Sequence, residues 1–265
     1  MKDERLLQIL DYIDQQQVVT IPELCDKFGV SVNTVRRDLD HLKKENKVEK
    51  VYGGARSLSN NEKNRNVSLS PYESRIIKHA DEKKAVARIA INLISENDVI
   101  FIDTGTSTVA MLPYLAEKFN HLTIITNSVY VLYEGLRYSK FTMIALPGIL
   151  LSKTASLIGE QCLAMLSSYN IQKAFMACSA LSIENGVSNS SIEEYAIKKQ
   201  VLKQSRHAYL LTDSSKFDKT SLMTFARLAE FEAIATESTP PKKYGEFFTT
   251  NNIKLLIAND KTGVK

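Results

Sequence analysis

Ser31-Val32-Asn33-Thr34-Val35-Arg36-Arg37-Asp38-Leu39 is the stretch whose reading decides the first part of the fold. It reads as a helix that opens on a capping hydroxyl, Ser31, and buries Val35, Leu39 and Leu42. At about 100° per residue these apolar positions form one narrow stripe; Asn33 and Arg37 point nearly opposite, and Thr34 and Arg36 flank them. Amide and guanidinium groups pair bidentately with adenine and guanine edges, so the outward face suits a DNA groove.

The flanking segments supply the support such a helix needs. Leu6, Ile9, Leu10 and Ile13 share one face of a short amphipathic helix over Arg5 to Ile13. Thr20 and Glu23 form a capping box with Pro22 in the first turn, which starts a second helix. Gly29 reads as its left-handed cap, leaving a tight turn before Ser31, the spacing of a helix-turn-helix. After Glu45, Asn46 suits another left-handed position, and Val48 to Tyr52 alternates before Gly53-Gly54 as the strand and glycine turn of a wing. Lys50 and Tyr52 of this wing join Ser31, Asn33, Thr34, Arg36 and Arg37 as the expected DNA-contacting set. Charge agrees locally: residues 1–30 hold three Lys/Arg against six Asp/Glu, and residues 31–56 hold seven against four. The whole chain is only at +4, so total charge alone does not point to DNA, and a small helical bundle with a solvated basic face is the plain alternative.

Arg5, the spacing to Ser31, the run Asn33-Thr34-Val35-Arg36-Arg37-Asp38-Leu39 and the trailing Tyr52-Gly53-Gly54-Ala55 resemble the N-terminal signature of the DeoR family of bacterial transcription regulators. By motif order the resemblance runs over about residues 3–258. It implies a winged-helix DNA reader joined to a sugar-phosphate sensor, usually repressing a carbohydrate catabolic operon. Within the family, the stretch from Asp26 to Asp38, the wing Glu49 to Gly54 and Ser182-Ile183-Glu184-Asn185-Gly186 look like the repressors of inositol catabolism.

With 265 residues, 44% of them hydrophobic, the chain has room for a small domain and a second of nearly 200 residues with a substantial core. We expect a DNA-binding domain over 1–56, a Ser- and Asn-rich linker over 57–70 and a sensor over 71–265. No apolar run approaches the roughly 18 residues of a membrane helix, and the acidic start is not a signal peptide, so a cytosolic protein without membrane contact is expected. Cys25, Cys162 and Cys178 show no pairing motif, and the four histidines stand apart, giving no metal-ligand spacing and implying no cofactor.

From Asp81 onward, helices alternate with apolar runs at Val99–Ile102, Leu122–Thr126, Phe141–Leu146, Ala174–Ala177, Ala208–Leu211, Phe231–Ala235 and Leu255–Ala258. That is the pattern of a parallel sheet covered on both faces, which binds ligands at the carboxyl ends of its strands. Four such ends carry polar loops: Asp103-Thr104-Gly105-Thr106-Ser107-Thr108, Asn127-Ser128, Pro147-Gly148 and Asp213-Ser214-Ser215-Lys216. Each alone reads as helix capping; together, one cation among neutral donors suits a phosphate monoester carrying a polyol.

The resemblance assigns Asp103 to Thr108, Asn127 and Lys216 to a phosphosugar pocket, in a fold related to ribose-5-phosphate isomerases and glucosamine-6-phosphate deaminases. With Ser128, Gly148, Asp213 and Ser215 these make the expected effector site. The chain departs from the family at Ile149, where a glycine is usual, and near Cys178 and Ala180, where glycines are also usual; added side chains at those places are expected to shrink or tilt the pocket, and Glu237 is a mild departure. Two rivals remain: an isomerase or deaminase, for which Asp103, Asp213, Glu193 and Glu194 offer carboxylates without a visible orienting partner, and a DNA-binding protein whose sensor only dimerises. Helix-turn-helix readers bind symmetric half-sites, so a homodimer or homotetramer is expected, with operator DNA and a phosphorylated sugar or polyol as partners.

Overall fold

The computed structural model describes residues 2–16, 18–45, 47–51, 54–57 and 71–258. Two compact units divide the chain, residues 1–69 and 70–265.

The first unit runs α1 (Lys2–Gln16), β1 (Val18–Thr20), α2 (Ile21–Phe28), α3 (Val32–Lys44), β2 (Val48–Val51) and β3 (Gly54–Ser57). The capping box forms as its residues require, with Glu23 N–H donating to Thr20 Oγ1 at 3.3 Å and Thr20 N–H to Glu23 Oε2 at 2.7 Å. Gly29 takes φ 62° and ends α2, and Ser31 caps α3 by accepting from Thr34 N–H at 3.3 Å. Leu6, Ile9, Ile13, Leu24, Val35, Leu39 and Leu42 close one core with Val19, Val48 and Ala55.

The wing is larger than its sequence suggested. Gly54 to Ser57 is a second strand antiparallel to β2, and β1 adds a third in the order β1-β3-β2. Ser57, read as the first linker residue, pairs with Val48. Gly54 is needed for close approach rather than for a turn, because a Cβ there would sit 2.0 Å from the Val19 carbonyl oxygen. Asn46, Tyr52, Gly53 and the linker residues 58–70 lie outside the described residues.

The second unit begins with α4 (Pro71–Ile77) and α5 (Ala80–Ala90), which lead into a seven-stranded, fully parallel sheet. Its strands are β4 (Val99–Ile102), β5 (Thr123–Thr126), β6 (Thr142–Ala145), β9 (Ile171–Ala177), β12 (Ser205–Leu211), β14 (Ala233–Thr236) and β15 (Lys254–Ile257), in the order β15-β14-β12-β9-β4-β5-β6. All seven coincide with the apolar runs. Alternate residues feed two cores. Phe101, Met176, Leu210 and Ile234 face α9 (Glu160–Leu166), α10 (Tyr195–Gln204) and α11 (Lys242–Thr250). Ile100, Ile102, Phe175 and Leu211 face α5, α7 (Leu112–Lys118) and α8 (Val129–Gly135).

Two smaller pieces were not foreseen: a hairpin of β7 (Ile149–Leu151) and β8 (Ser156–Ile158), and an antiparallel sheet of β10 (Ala180–Ser182), β11 (Gly186–Asn189) and β13 (Met223–Ala226). The chain leaves β4 toward β5 and β6, then returns to β9 on the other side of β4. The carboxyl ends of β4 and β9 therefore form the topological switch point, where doubly wound sheets open a crevice. Among the described residues no helix is long and apolar enough to cross a membrane.

Candidate functional site

On α3, Asn33, Arg36 and Arg37 are exposed, opposite the buried Val35, Leu39 and Leu42. Among the described residues none makes a hydrogen bond or ion pair with these three side chains. Ser31 and Thr34 are partly engaged in the cap, their hydroxyls 2.9 Å apart. Lys50 is not free: its ammonium bonds Asp40 of α3 at 2.8 Å, which ties the wing to the helix and holds the Asp40 carboxyl below the usual range. Sequence reasoning passed over Asp38. It is buried on the stripe with Val35, Leu39 and Leu42 and takes two bonds from Arg5 of α1, Nε at 2.9 Å and Nη2 at 3.2 Å.

In the sensor, a cavity of about 190 Å³ opens at the switch point. Gly105, Thr106 and Ser107 after β4, Ala177 at the end of β9 with Cys178 and Ser179 after it, and Asp213 and Lys216 after β12 line it. Gly105 must be glycine, since a Cβ would stand 2.2 Å from the Ala177 Cβ. A further wall comes from α4 and the start of α5, which bring Arg75, Lys78, His79 and Lys83. Lys216 is the one cation of the strand-end loops, but it is joined here by three more that sequence spacing did not place.

Lys83 is buried, and its ammonium donates to the carbonyls of Arg75 and Lys78, oxygens at the end of α4. Burial pushes its pKa down to about 8, against the pull of Asp213 and with the push of Lys216 and Arg75. One Asp213 oxygen accepts from Ser215, through both N–H and hydroxyl; the other, Oδ2, is buried with no partner among the described residues.

The remaining expected effector residues lie outside the cavity lining, each for a visible reason. Asp103 is buried, and its Oδ2 takes the Lys198 ammonium from α10 and the Ala177 N–H at 2.9 Å. Thr104 donates to Glu194 at 2.9 Å, and Glu194 in turn accepts from Asn189 at 3.2 Å. Thr108 bonds back to the Asp103 and Gly105 carbonyls. Ser128 caps α8, accepting from Val131 N–H. Asn127 donates to Leu157 O at 2.9 Å, its Oδ1 being buried and unpartnered among the described residues. Gly148 packs against Ile158 of the hairpin, with no room for a Cβ. Ser215 serves Asp213.

Of the three departures from family glycines, only Cys178 lines the cavity; burial pushes its thiol up to about 11. Ile149 is 73% exposed on β7 and Ala180 is buried in β10, so neither narrows the cavity as expected. A larger groove of about 730 Å³ lies beyond Lys83 and Thr106, but Val109, Pro113, Tyr114, Tyr130 and Tyr133 make it chiefly apolar, and the convergent charges belong to the smaller cavity.

Known proteins carry the same two modules in the same order. The description "DeoR-like helix-turn-helix domain" matches residues 5–61, and "DeoR C terminal sensor domain" matches residues 78–238. The HTH-type transcriptional regulator IolR of Bacillus subtilis (strain 168) is 35% identical over 97% of this chain and 100% of its own length. The glycerol-3-phosphate regulon repressor of Escherichia coli (strain K12) is 28% identical over 94% of this chain and 96% of its own. A solved D-ribose-5-phosphate isomerase in complex with phospho-erythronic acid superimposes with a TM-score of 0.40 and 15% identity, covering 52% of this chain and 54% of that one. With a reading helix on one unit, a charged cavity at the switch point of the other and full-length relatives that are regulators, the chain belongs to the DeoR family of helix-turn-helix transcription regulators.

Proposed function

We propose that this regulator represses an operon for the breakdown of a sugar or polyol, and that a phosphorylated intermediate of that pathway releases it from its operator. The observation that carries the effector reading is the cavity's charge: Arg75, Lys78, Lys83 and Lys216 surround it, with Asp213 as the carboxylate facing them. Cations converging on a small concavity with backbone and hydroxyl donors match a phosphate group. The buried, unpartnered Asp213 Oδ2 is an acceptor, and a ligand hydroxyl is the donor that suits it. The names of full-length relatives, a glycerol-3-phosphate regulon repressor and IolR, support the same class of control.

On the DNA side, Asn33 and Arg37 read base edges while Arg36 and the cap residues hold the backbone. Two copies bind two half-sites, so the working form is a homodimer or a homotetramer made of two such dimers. Effector and operator then oppose one another through linkage, each lowering affinity for the other by the same factor. Operator titrations with and without a panel of sugars and polyols, each offered free and phosphorylated, test the reading. Release by a phosphorylated compound and not by its free form is expected; release by the free forms alone sinks the phosphate assignment.

A further inference from the structure

The walls of the sensor cavity differ in how firmly they are held. Its strand-end loops are tied down by side chains: the β4 loop by Asp103 on Lys198 of α10 and on the Ala177 N–H of β9, and the β12 loop by Ser214 N–H donating to both Glu237 oxygens at 3.1 and 2.9 Å. The wall formed by α4 belongs to no sheet. Part of its grip is Tyr72, fully buried and stacked on Tyr130 of α8 with ring centres 4.5 Å apart and planes 15° apart. The Arg75 guanidinium lies 5.0 Å from the Tyr72 ring centre. Lys83 adds its bonds to the carbonyls of Arg75 and Lys78.

Arg75 therefore belongs to two environments at once: it covers the Tyr72 ring, and it lines the cavity. A charge-assisted bond to an anion is stronger than an arginine-on-ring contact at a partly open site. α4 is also the first described element after residues 58–70, the covalent connection to the DNA-reading unit. We propose that α4 is the read-out element of the effector site: an anion in the cavity draws Arg75 off the Tyr72 ring, and the Tyr72–Tyr130 stack converts that exchange into a changed hold on the start of the sensor, where the chain arrives from the DNA-reading unit. This rests on the cavity being an anion site, as argued above. Tyr72 is then a positioning residue, acting through Arg75 and not on the ligand.

Hydrogen exchange on the full-length protein, with and without inorganic phosphate at matched ionic strength, tests the inference, with phosphate binding measured alongside by calorimetry. In the wild-type protein, exchange of the α4 amides is expected to change at least about threefold on adding phosphate. Tyr72→Leu is expected to bind phosphate within about threefold of wild type while the α4 response disappears, and Tyr72→Phe, which keeps the ring, to retain it. Phosphate binding with a response confined to residues 103–108 and 213–216 overturns the inference and leaves the anion site standing; so does a full response in a folded Tyr72→Leu. Absence of phosphate binding to the wild-type protein overturns the anion site and this inference with it. The wild-type exchange map decides the matter even where Tyr72→Leu does not fold.

Discussion

In the DNA-reading unit the proposed DNA-contacting cations, Arg36 and Arg37, are neighbours on one helix and look outward; in the sensor the cavity's cations are gathered into a concavity from segments more than a hundred residues apart. Both arrangements hang on an inward-turned carboxylate. Asp38 sits beneath the exposed Arg36 and Arg37 and is held by Arg5 of α1, while Asp103 sits beside the cavity loop and is held by Lys198 of α10. The difference lies in solvent access. The Lys198 side chain is 5% exposed and that of Arg5 29%. The sensor's pin is a buried pair beside the switch point, and the reader's pin is a bidentate pair at the edge of a small core.

Breaking each pin is the strongest way to challenge that comparison. Lys198→Met strands a buried carboxylate and is expected to lower stability by about 3–5 kcal/mol. Arg5→Met leaves Asp38 nearer to water and is expected to cost about 1–3 kcal/mol. Denaturant unfolding of both variants checks the order, and equal losses would show that burial of the cation does not set the difference.

Next in size is the sensor's response. Lys216→Ala removes the strand-end cation, and loss of a charge-assisted bond to phosphate weakens effector binding by about 1.5–3 kcal/mol. Operator affinity without effector should hardly change, so the expected variant still represses but no longer answers inducer. An unaltered response removes Lys216 from the site; an equal loss of operator binding marks it as structural. On the reader, Arg37→Ala is expected to cost about 1–3 kcal/mol on the operator and little on a scrambled sequence, whereas Arg36→Ala weakens both and lowers the salt slope. Matching losses on both DNAs for Arg37→Ala would reduce it to a backbone contact.

The same contrast explains what could be read from sequence. The reading helix is legible because helical periodicity is local: cap, stripe and outward face lie within Ser31 to Leu42. The seven strands are legible because buried parallel strands are short continuous apolar runs. The cavity was only half legible. Its loops follow strands and announce themselves by Asp, Ser, Thr and Gly, but which of their atoms are free depends on partners far away: Asp103 is taken by a lysine 95 residues on, and Thr104 by a glutamate 90 residues on. The cations of α4 and α5 precede the first strand and showed no loop signature.

A signal did exist. Asp38 with Val35, Leu39 and Leu42, and Lys83 with Val86, Ala87 and Ala90, each put a charge on a buried helical stripe, and Lys198 stands between Ile197 and Val201 on another. A charge in such a place requires a partner. All three have one.

Lys83 gives the sharpest comparison, because its pH dependence has opposite signs in two measurements. Burial lowers its pKa from 10.5 to about 8 in the folded chain. Below about 8 it is charged both folded and unfolded, so the burial penalty is fully present; between about 8 and 10.5 the unfolded chain holds the proton more firmly, and stability rises with pH. Effector binding runs the other way. An anion in the cavity favours the charged amine, so affinity is full below about 8 and falls as pH rises through it. If the ligand raises the Lys83 pKa by about one unit, the loss is about tenfold. The phosphate itself is already a dianion over this window, its second pKa being about 6, and the Cys178 thiol, pushed up to about 11, titrates above it. Calorimetric binding and denaturant unfolding at pH 7, 8, 9 and 10, on wild type and Lys83→Met, separate this group from other lysines: wild type should show both opposed slopes and the variant should lose both together. A variant that keeps the affinity slope would place the titrating charge elsewhere in the cavity, and one that keeps the stability slope would place it elsewhere in the fold.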